Sequence, residues 1–199
     1  MPLWAVCENE MKKEGRQMLV VNLFGAPGAG KSTGAAYIFS KLKMAGINAE
    51  LVTEFAKDKV WEESKAVFQN QAYIFGKQYF RISRVQDKVD VVITDSPILL
   101  SPFYTDDPVL GDEFDKLVTK VFNSYDSFNV FINRVKPYNA SGRFQTEQES
   151  DELSKKLLEF ITAHGISCRH YNGDMKSYDV LVADILERLK CPGRSYGTH

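Results

Sequence analysis

The chain has 199 residues, 44% of them apolar and 26% charged, with a formal net charge of -1. That length buries one α/β core and leaves no room for two comfortable domains, and the near-neutral charge supplies no global field toward nucleic acid or anionic lipid. Cys7, Cys168 and Cys191 are odd in number and lack C-x-x-C spacing, so they read as free thiols of a reducing, cytoplasmic compartment, not as a disulfide or zinc framework. Met1 to Gln17 carries no signal-peptide pattern, and no apolar run is long enough to span a bilayer, so no membrane association is expected.

The first apolar run, Met18 to Phe24, leads through a glycine-rich turn into a helical stretch from Lys31 to Ala45, which Gly46 stops. Ala49 to Thr53 reads as a second strand, followed by Glu54 and Phe55. Lys57 to Val89 is helical in pattern, as two helices, with Trp61, Val67, Tyr73, Ile74, Phe80 and Ile82 on apolar faces. Asp90 to Asp95 holds the continuous apolar run Val91-Val92-Ile93, suited to burial on both faces. Pro97 and Pro102 then mark a loop that runs on through Pro108. Phe114 to Phe122 reads as a helix and Asn129 to Ile132 as a fourth strand. Glu147 to His164 is helical, stopped by Gly165; Ile166 to Tyr171 is a fifth strand, and Ser177 caps a last helix. Strands alternating with helices imply an α/β fold with a parallel sheet covered on both faces. The expected organisation is an extension over 1–17, one domain over 18–190 and a tail over 191–199.

Gly25-Ala26-Pro27-Gly28-Ala29-Gly30-Lys31-Ser32-Thr33 is a full G-x-x-x-x-G-K-[ST] motif, placed after an expected strand and before an expected helix. The glycines let backbone N–H groups wrap a polyphosphate at the helix N-terminus. Lys31 would reach the β- and γ-phosphates of ATP, and the Ser32 hydroxyl would ligate Mg2+. Asp95, closing the third strand, stands where a carboxylate holds that metal directly or through water. Ser96 and Pro97 follow it, so the glutamate with which many P-loop hydrolases activate water is missing there, as is an N-K-x-D guanine-reading motif. Both absences favour transfer to an acceptor over hydrolysis.

Glu54, at the end of the second strand, belongs to the same crevice beyond the strands' carboxyl ends. Two readings stand for it: a base accepting a hydroxyl proton from the acceptor, or a carboxylate favouring the start of the next helix. Arg134, Lys136 and Arg143 fall in a polar, basic segment over 134–146 that is too long for an ordinary connection. It reads as a mobile lid whose cations close over the phosphates, or as a solvated loop. Arg81 and Arg84 lie on the helix before Asp95 and read as a solvated face within reach of an anionic acceptor. Phe103 and Tyr104 either stack on an acceptor ring or pack.

With these residues the sequence resembles P-loop kinases of nucleosides and nucleotides. It is most similar to the ribosylnicotinamide kinase domain of NAD-salvage proteins and its phage-encoded relatives. The resemblance runs from about Leu19 to Leu189 and rests on the P-loop, Thr53-Glu54-Phe55-Ala56, Ile93-Thr94-Asp95, and Arg134-Val135-Lys136-Pro137-Tyr138 leading to Gly142-Arg143-Phe144-Gln145-Thr146-Glu147. It implies a P-loop NTPase three-layer sandwich with a five-stranded parallel sheet, ATP with magnesium, and a basic lid. Deoxynucleoside kinases carry a base glutamate where Glu54 stands, followed by a proline that is Phe55 here, and an arginine where Ser96 stands. The expected activity is ATP- and Mg2+-dependent transfer of the γ-phosphate to a nucleoside- or nucleotide-like acceptor. A kinase acting on a hydroxymethylated base in DNA, such as 5-hydroxymethyluracil, and a non-enzymatic ATP-binding module are the alternatives.

Overall fold

Short apolar runs and longer amphipathic stretches become a parallel sheet between two layers of helices. A computed structural model describes residues 17–55, 70–135, 137 and 146–190. In chain order these form β1 (Leu19–Phe24), α1 (Lys31–Met44), β2 (Ala49–Val52), α2 (Gln71–Ser83), β3 (Val91–Thr94), α3 (Leu100–Phe103), α4 (Gly111–Phe122), β4 (Asp126–Asn133), α5 (Glu147–Ala163), β5 (Arg169–Asn172) and α6 (Met175–Lys190). The five strands are arranged β2-β3-β1-β4-β5, and every pairing is parallel.

β1 occupies the middle, and its side chains alternate between the two layers as a pleated strand requires. Leu19, Val21 and Leu23 join Ile38 and Leu42 of α1 and Leu181 and Ile185 of α6. Val20 and Phe24 join Phe75 and Ile82 of α2, Val118 and Phe122 of α4, and Leu157 and Ile161 of α5. Burial on both faces is why β1 and β3 read as continuous apolar runs and not as alternating ones. Asn22 is the polar exception in β1. It is 1% exposed, and its amide donates to Asn129 Oδ1 at 3.0 Å and Ser127 Oγ at 3.3 Å on neighbouring β4.

Both expected glycine stops are present. After α1, the Gly46 and Ile47 amides donate to Lys43 O and Leu42 O; after α5, those of Gly165 and Ile166 donate to Thr162 O and Ile161 O. These paired bonds satisfy carbonyls that the helix end would leave open. Satisfying Ile161 O with Ile166 also delays the fifth strand, which begins at Arg169 and not at Ile166.

Other boundaries move for equally local reasons. The expected loop from Pro97 contains the short helix α3, because a proline at 102 falls in its first turn, where a missing N–H costs nothing. β4 is longer than Asn129 to Ile132, since it is flanked by strands on both sides. Of the stretch expected as helical over Lys57 to Val89, residues 57–69 lie outside the described residues, and the rest is helix from Gln71 to Ser83 and then turns, with Asp87 at φ 61°. Trp61 and Val67 lie outside the described residues. Ser177 does not cap the last helix: the Asp174 carboxylate accepts its N–H at 2.9 Å, and the helix begins at Met175. No described helix is long and apolar enough to cross a membrane.

α6 packs its apolar stripe beneath the β1–α1 unit, so truncating that stripe tests the core directly. Ile185, fully buried, is expected to cost about 2–5 kcal/mol on replacement by Ala. Val180 on the same helix is 56% exposed, and its replacement by Ala should stay within about 0.5 kcal/mol. Urea unfolding midpoints at unchanged slope check both values.

Candidate active site

The sheet order brings together the chain segments that leave β1, β2 and β3. β3 lies between β2 and β1, with Thr94 level with Val52 on one side and Asn22 on the other. The Gly25–Ser32 turn, Glu54 and Asp95 therefore emerge at one edge, beyond the carboxyl ends of adjacent strands, where an open parallel sheet binds its ligands.

At Gly25 the backbone has φ 140°, and a Cβ there would stand 2.7 Å from the Ile132 carbonyl oxygen, so only glycine fits this start of the turn. The loop then tightens with Ala29 N–H donating to Ala26 O at 3.1 Å. Gly30 precedes α1, whose start has no side-chain cap and no acidic residue in its first turn. The positive end of the helix is thus left to an anion. Lys31 Nζ donates to Gly25 O at 2.7 Å and Ala26 O at 3.3 Å, arching over the loop. Gly28 and Ala29 complete the cradle, and Ser32 and Thr33 are exposed at the first turn of α1.

Three residues far along the chain brace this loop from behind. Ser150 of α5, fully buried, donates its hydroxyl to Pro27 O at 2.8 Å. Tyr178 of α6 donates to Gly30 O at 3.0 Å, and burial, with Asp174 second, pushes its phenol up to about 12, so it stays a neutral donor. Gly173 sits so close that a Cβ would lie 2.1 Å from Ala29 O, while its own N–H donates to Asn133 O at 2.9 Å. None of the three stands out in the sequence. A glycine between β5 and α6 was the available signal, and it has no motif.

The carboxylates meet through the backbone. Asp95 is 3% exposed, and its Oδ1 accepts the Glu54 N–H at 2.9 Å. Glu54 is half-buried and faces Tyr104, whose phenol is pushed up to about 12, first by burial and then by the Glu54 carboxylate. Tyr104 as a residue is still 40% exposed, with its ring packed edge-on against Phe103, centroids 4.9 Å apart. Phe103 is separated from it in role: its ring lies 5.3 Å from Phe160 and packs under α5. Arg81, partly exposed, donates to Thr53 O at 2.9 Å with its guanidinium 5.2 Å from the Phe55 ring centre, so it reaches the end of β2. Arg84 points instead to Glu50, at 3.4 Å.

Of the basic segment, Arg134 is described, and Lys136 and Arg143 lie outside the described residues. Arg134 follows β4, and its guanidinium is ion-paired with Glu147 at 2.5 Å and with Asp151, both in the first turns of α5. Thr146 and Glu149 form a reciprocal capping box there. α5 thus holds both Arg134 and, through Ser150, the P-loop. Cys168 is a free thiol, pushed up to about 12 by burial, while Cys7 and Cys191 lie outside the described residues. A depression bordered by Lys155, Leu158, Glu159, Thr162 and Ala163 belongs to one stretch of α5 and involves no strand end.

A P-loop at the carboxyl edge of a parallel sheet defines the class, and the comparisons agree with it. The chain belongs to the AAA domain family, whose model matches residues 20–177. Its fold is similar to deoxyadenosine kinase from M. mycoides with bound dATP, at 21% identity and TM-score 0.57, covering 84% of this chain and 99% of that one. The same enzyme with dCMP and dCDP bound gives 20% identity and TM-score 0.53, covering 86% and 98%. APS kinase of Mycobacterium tuberculosis in complex with AMPPNP and APS gives 16% and 0.49, covering 88% and 99%. No curated protein matches the sequence.

Gly173→Ala tests the bracing. The added methyl has to displace the Ala29 carbonyl, an overpacking worth about 1–3 kcal/mol. Thermal unfolding is expected to show that loss, and titration with a fluorescent nucleoside triphosphate should show weaker binding than in wild type.

Proposed function

We propose that the protein transfers the γ-phosphate of ATP to a hydroxyl of a nucleoside- or nucleotide-like acceptor. The observation that carries this reading is a P-loop with an open helix N-terminus at the strand-end edge that also carries Glu54 and Asp95, where the Glu54 N–H donates to the Asp95 carboxylate across the ends of β2 and β3. The N–H groups from Gly25 to Thr33 would bind the polyphosphate, and Lys31 would leave its two carbonyl partners for phosphate oxygens. Ser32 and Asp95 offer oxygen ligands of the hard kind that magnesium takes. When bound, that ion neutralises charge on the β- and γ-phosphate oxygens.

Glu54 is the proposed base. Its N–H bond to Asp95 and the proximity of Tyr104 support this reading, in which the Tyr104 ring would help hold an acceptor ring. Arg134 and Arg143 are the proposed lid cations. For Arg134 this role means exchanging Glu147 and Asp151 for the transferring phosphate's oxygens, a swap that closing α5's end of the site would bring about. Whether the acceptor is a riboside of the nicotinamide kind, another nucleoside or a base in DNA is decided by transfer of labelled phosphate from ATP to a panel of these. No transfer to any hydroxyl acceptor, with ATP bound tightly, would leave a binding module as the function.

Two substitutions separate the roles. Lys31→Ala removes a charge-assisted contact and should weaken ATP binding by about 1.5–3 kcal/mol in a calorimetric titration. Glu54→Gln should lower kcat by about 10²–10⁴ with ATP affinity little changed. A Glu54→Gln enzyme with near-normal kcat would remove Glu54 from the chemistry.

A further inference from the structure

Between the two carboxylate-bearing strand ends lies a side chain that neither the motif nor the proposed chemistry uses. The inward stripe of α2 includes Ile74, Phe75 and Ile82, and among them stands Gln78, 2% exposed. Its Nε2 is 3.2 Å from Thr94 Oγ1 and 3.4 Å from Thr53 O. Thr53 and Thr94 are the residues immediately before Glu54 and Asp95. The same Thr94 hydroxyl, fully buried, accepts the Ser96 N–H at 3.1 Å, on the other side of Asp95.

The Gln78 amide is also expensive to keep. Its Oε1 is buried without a hydrogen-bond partner, and such an orphaned acceptor costs stability that an apolar side chain of similar length would not. A buried amide that is only half satisfied, and whose satisfied half touches both strand ends, fits a requirement of the site better than one of the core.

We infer that Gln78 is a positioning residue: it ties the end of β2 to the end of β3 and so sets the spacing between Glu54 and Asp95. One amide donor reaches the backbone before Glu54 and the side chain before Asp95, and the Glu54 N–H···Asp95 bond closes the same small circuit. Without it, α2 still packs through its apolar stripe, but the two strand ends are left to the ladder and the Glu54 N–H···Asp95 bond, with no side chain bridging them from the helix. This rests on the proposed roles of Glu54 and Asp95, and the experiment below separates the two.

Gln78→Met keeps the length and apolar stem and removes the donor. Unfolding stability should hold or rise, because the orphaned oxygen disappears. With ATP present, Mn2+ affinity measured by electron paramagnetic resonance should fall about tenfold. With an acceptor, kcat should fall about tenfold to a hundredfold while the ATP KM stays within about threefold, as expected for a small misplacement of reacting groups. Thr94→Val removes the hydroxyl that the amide touches and should give the same pattern, and the double variant should be no worse than either single one. Should Gln78→Met fail to fold, Thr94→Val alone carries the test. Wild-type Mn2+ affinity and kcat in whichever variant folds would overturn the inference. If Glu54→Gln leaves kcat intact, Glu54's assignment falls, while the Mn2+ measurement, which reads Asp95, still decides the role of Gln78.

Discussion

A loop that binds phosphate through its backbone must keep several N–H groups unpaired and pointing one way, a conformation that the loop's own few bonds do not hold. Here the constraint comes from carbonyls on the loop's rear side. Pro27 O accepts from Ser150 and Gly30 O from Tyr178, while Ala29 O is hemmed in by Gly173. Each bond uses an acceptor and leaves the donors free for an anion, so the bracing does not compete with the ligand. The helices α5 and α6 contribute to the site in this sense although they place no side chain at its mouth.

The acceptor side follows a different logic. In the proposed reaction phosphate would be met by backbone dipoles, whereas the acceptor would be met by side chains, Glu54 and Tyr104. The buried Asp95 oxygen is compensated by the Glu54 backbone N–H. Arg81 adds a cation to the same strand end through its bond to Thr53 O. The helix terminus thus stands beside a strand edge that carries two carboxylates and the Arg81 guanidinium.

Much of this was legible in the sequence. The P-loop spacing, the Asp95 that ends a β-branched run and the glycine stops are local signals, and local signals survive into the fold. Thr146-x-x-Glu149 was equally legible as a capping box and marks the start of α5, a cue that the reading of the segment as merely basic passed over. What was not legible depends on contacts between distant residues. Arg134 looks like a free cation in the sequence, and only the packing of α5 shows the carboxylates that hold it. Phe103 and Tyr104 are neighbours with equal aromatic character and pack edge-on against each other, and only the fold adds Phe160 beside the first and Glu54 beside the second. Gln78 is one polar residue on a long helix, and its meaning comes from two threonines on two different strands.

The central place of β1 also has a consequence during synthesis. Leu-Val-Val-Asn-Leu-Phe leaves the ribosome well before its two neighbours in the sheet, and Asn22 meets Asn129 across 107 residues of chain. β3 follows first, with Thr94 level with Asn22, so at roughly 5–20 residues per second a strand apolar on both faces waits about 4–14 s for its first partner. Parallel pairing offers no hairpin to shelter it in the meantime. Asn22 interrupts the run with a group that prefers water until Asn129 and Ser127 arrive, so the residue that cross-links β1 to β4 in the finished sheet also makes the nascent strand a poorer template for aggregation.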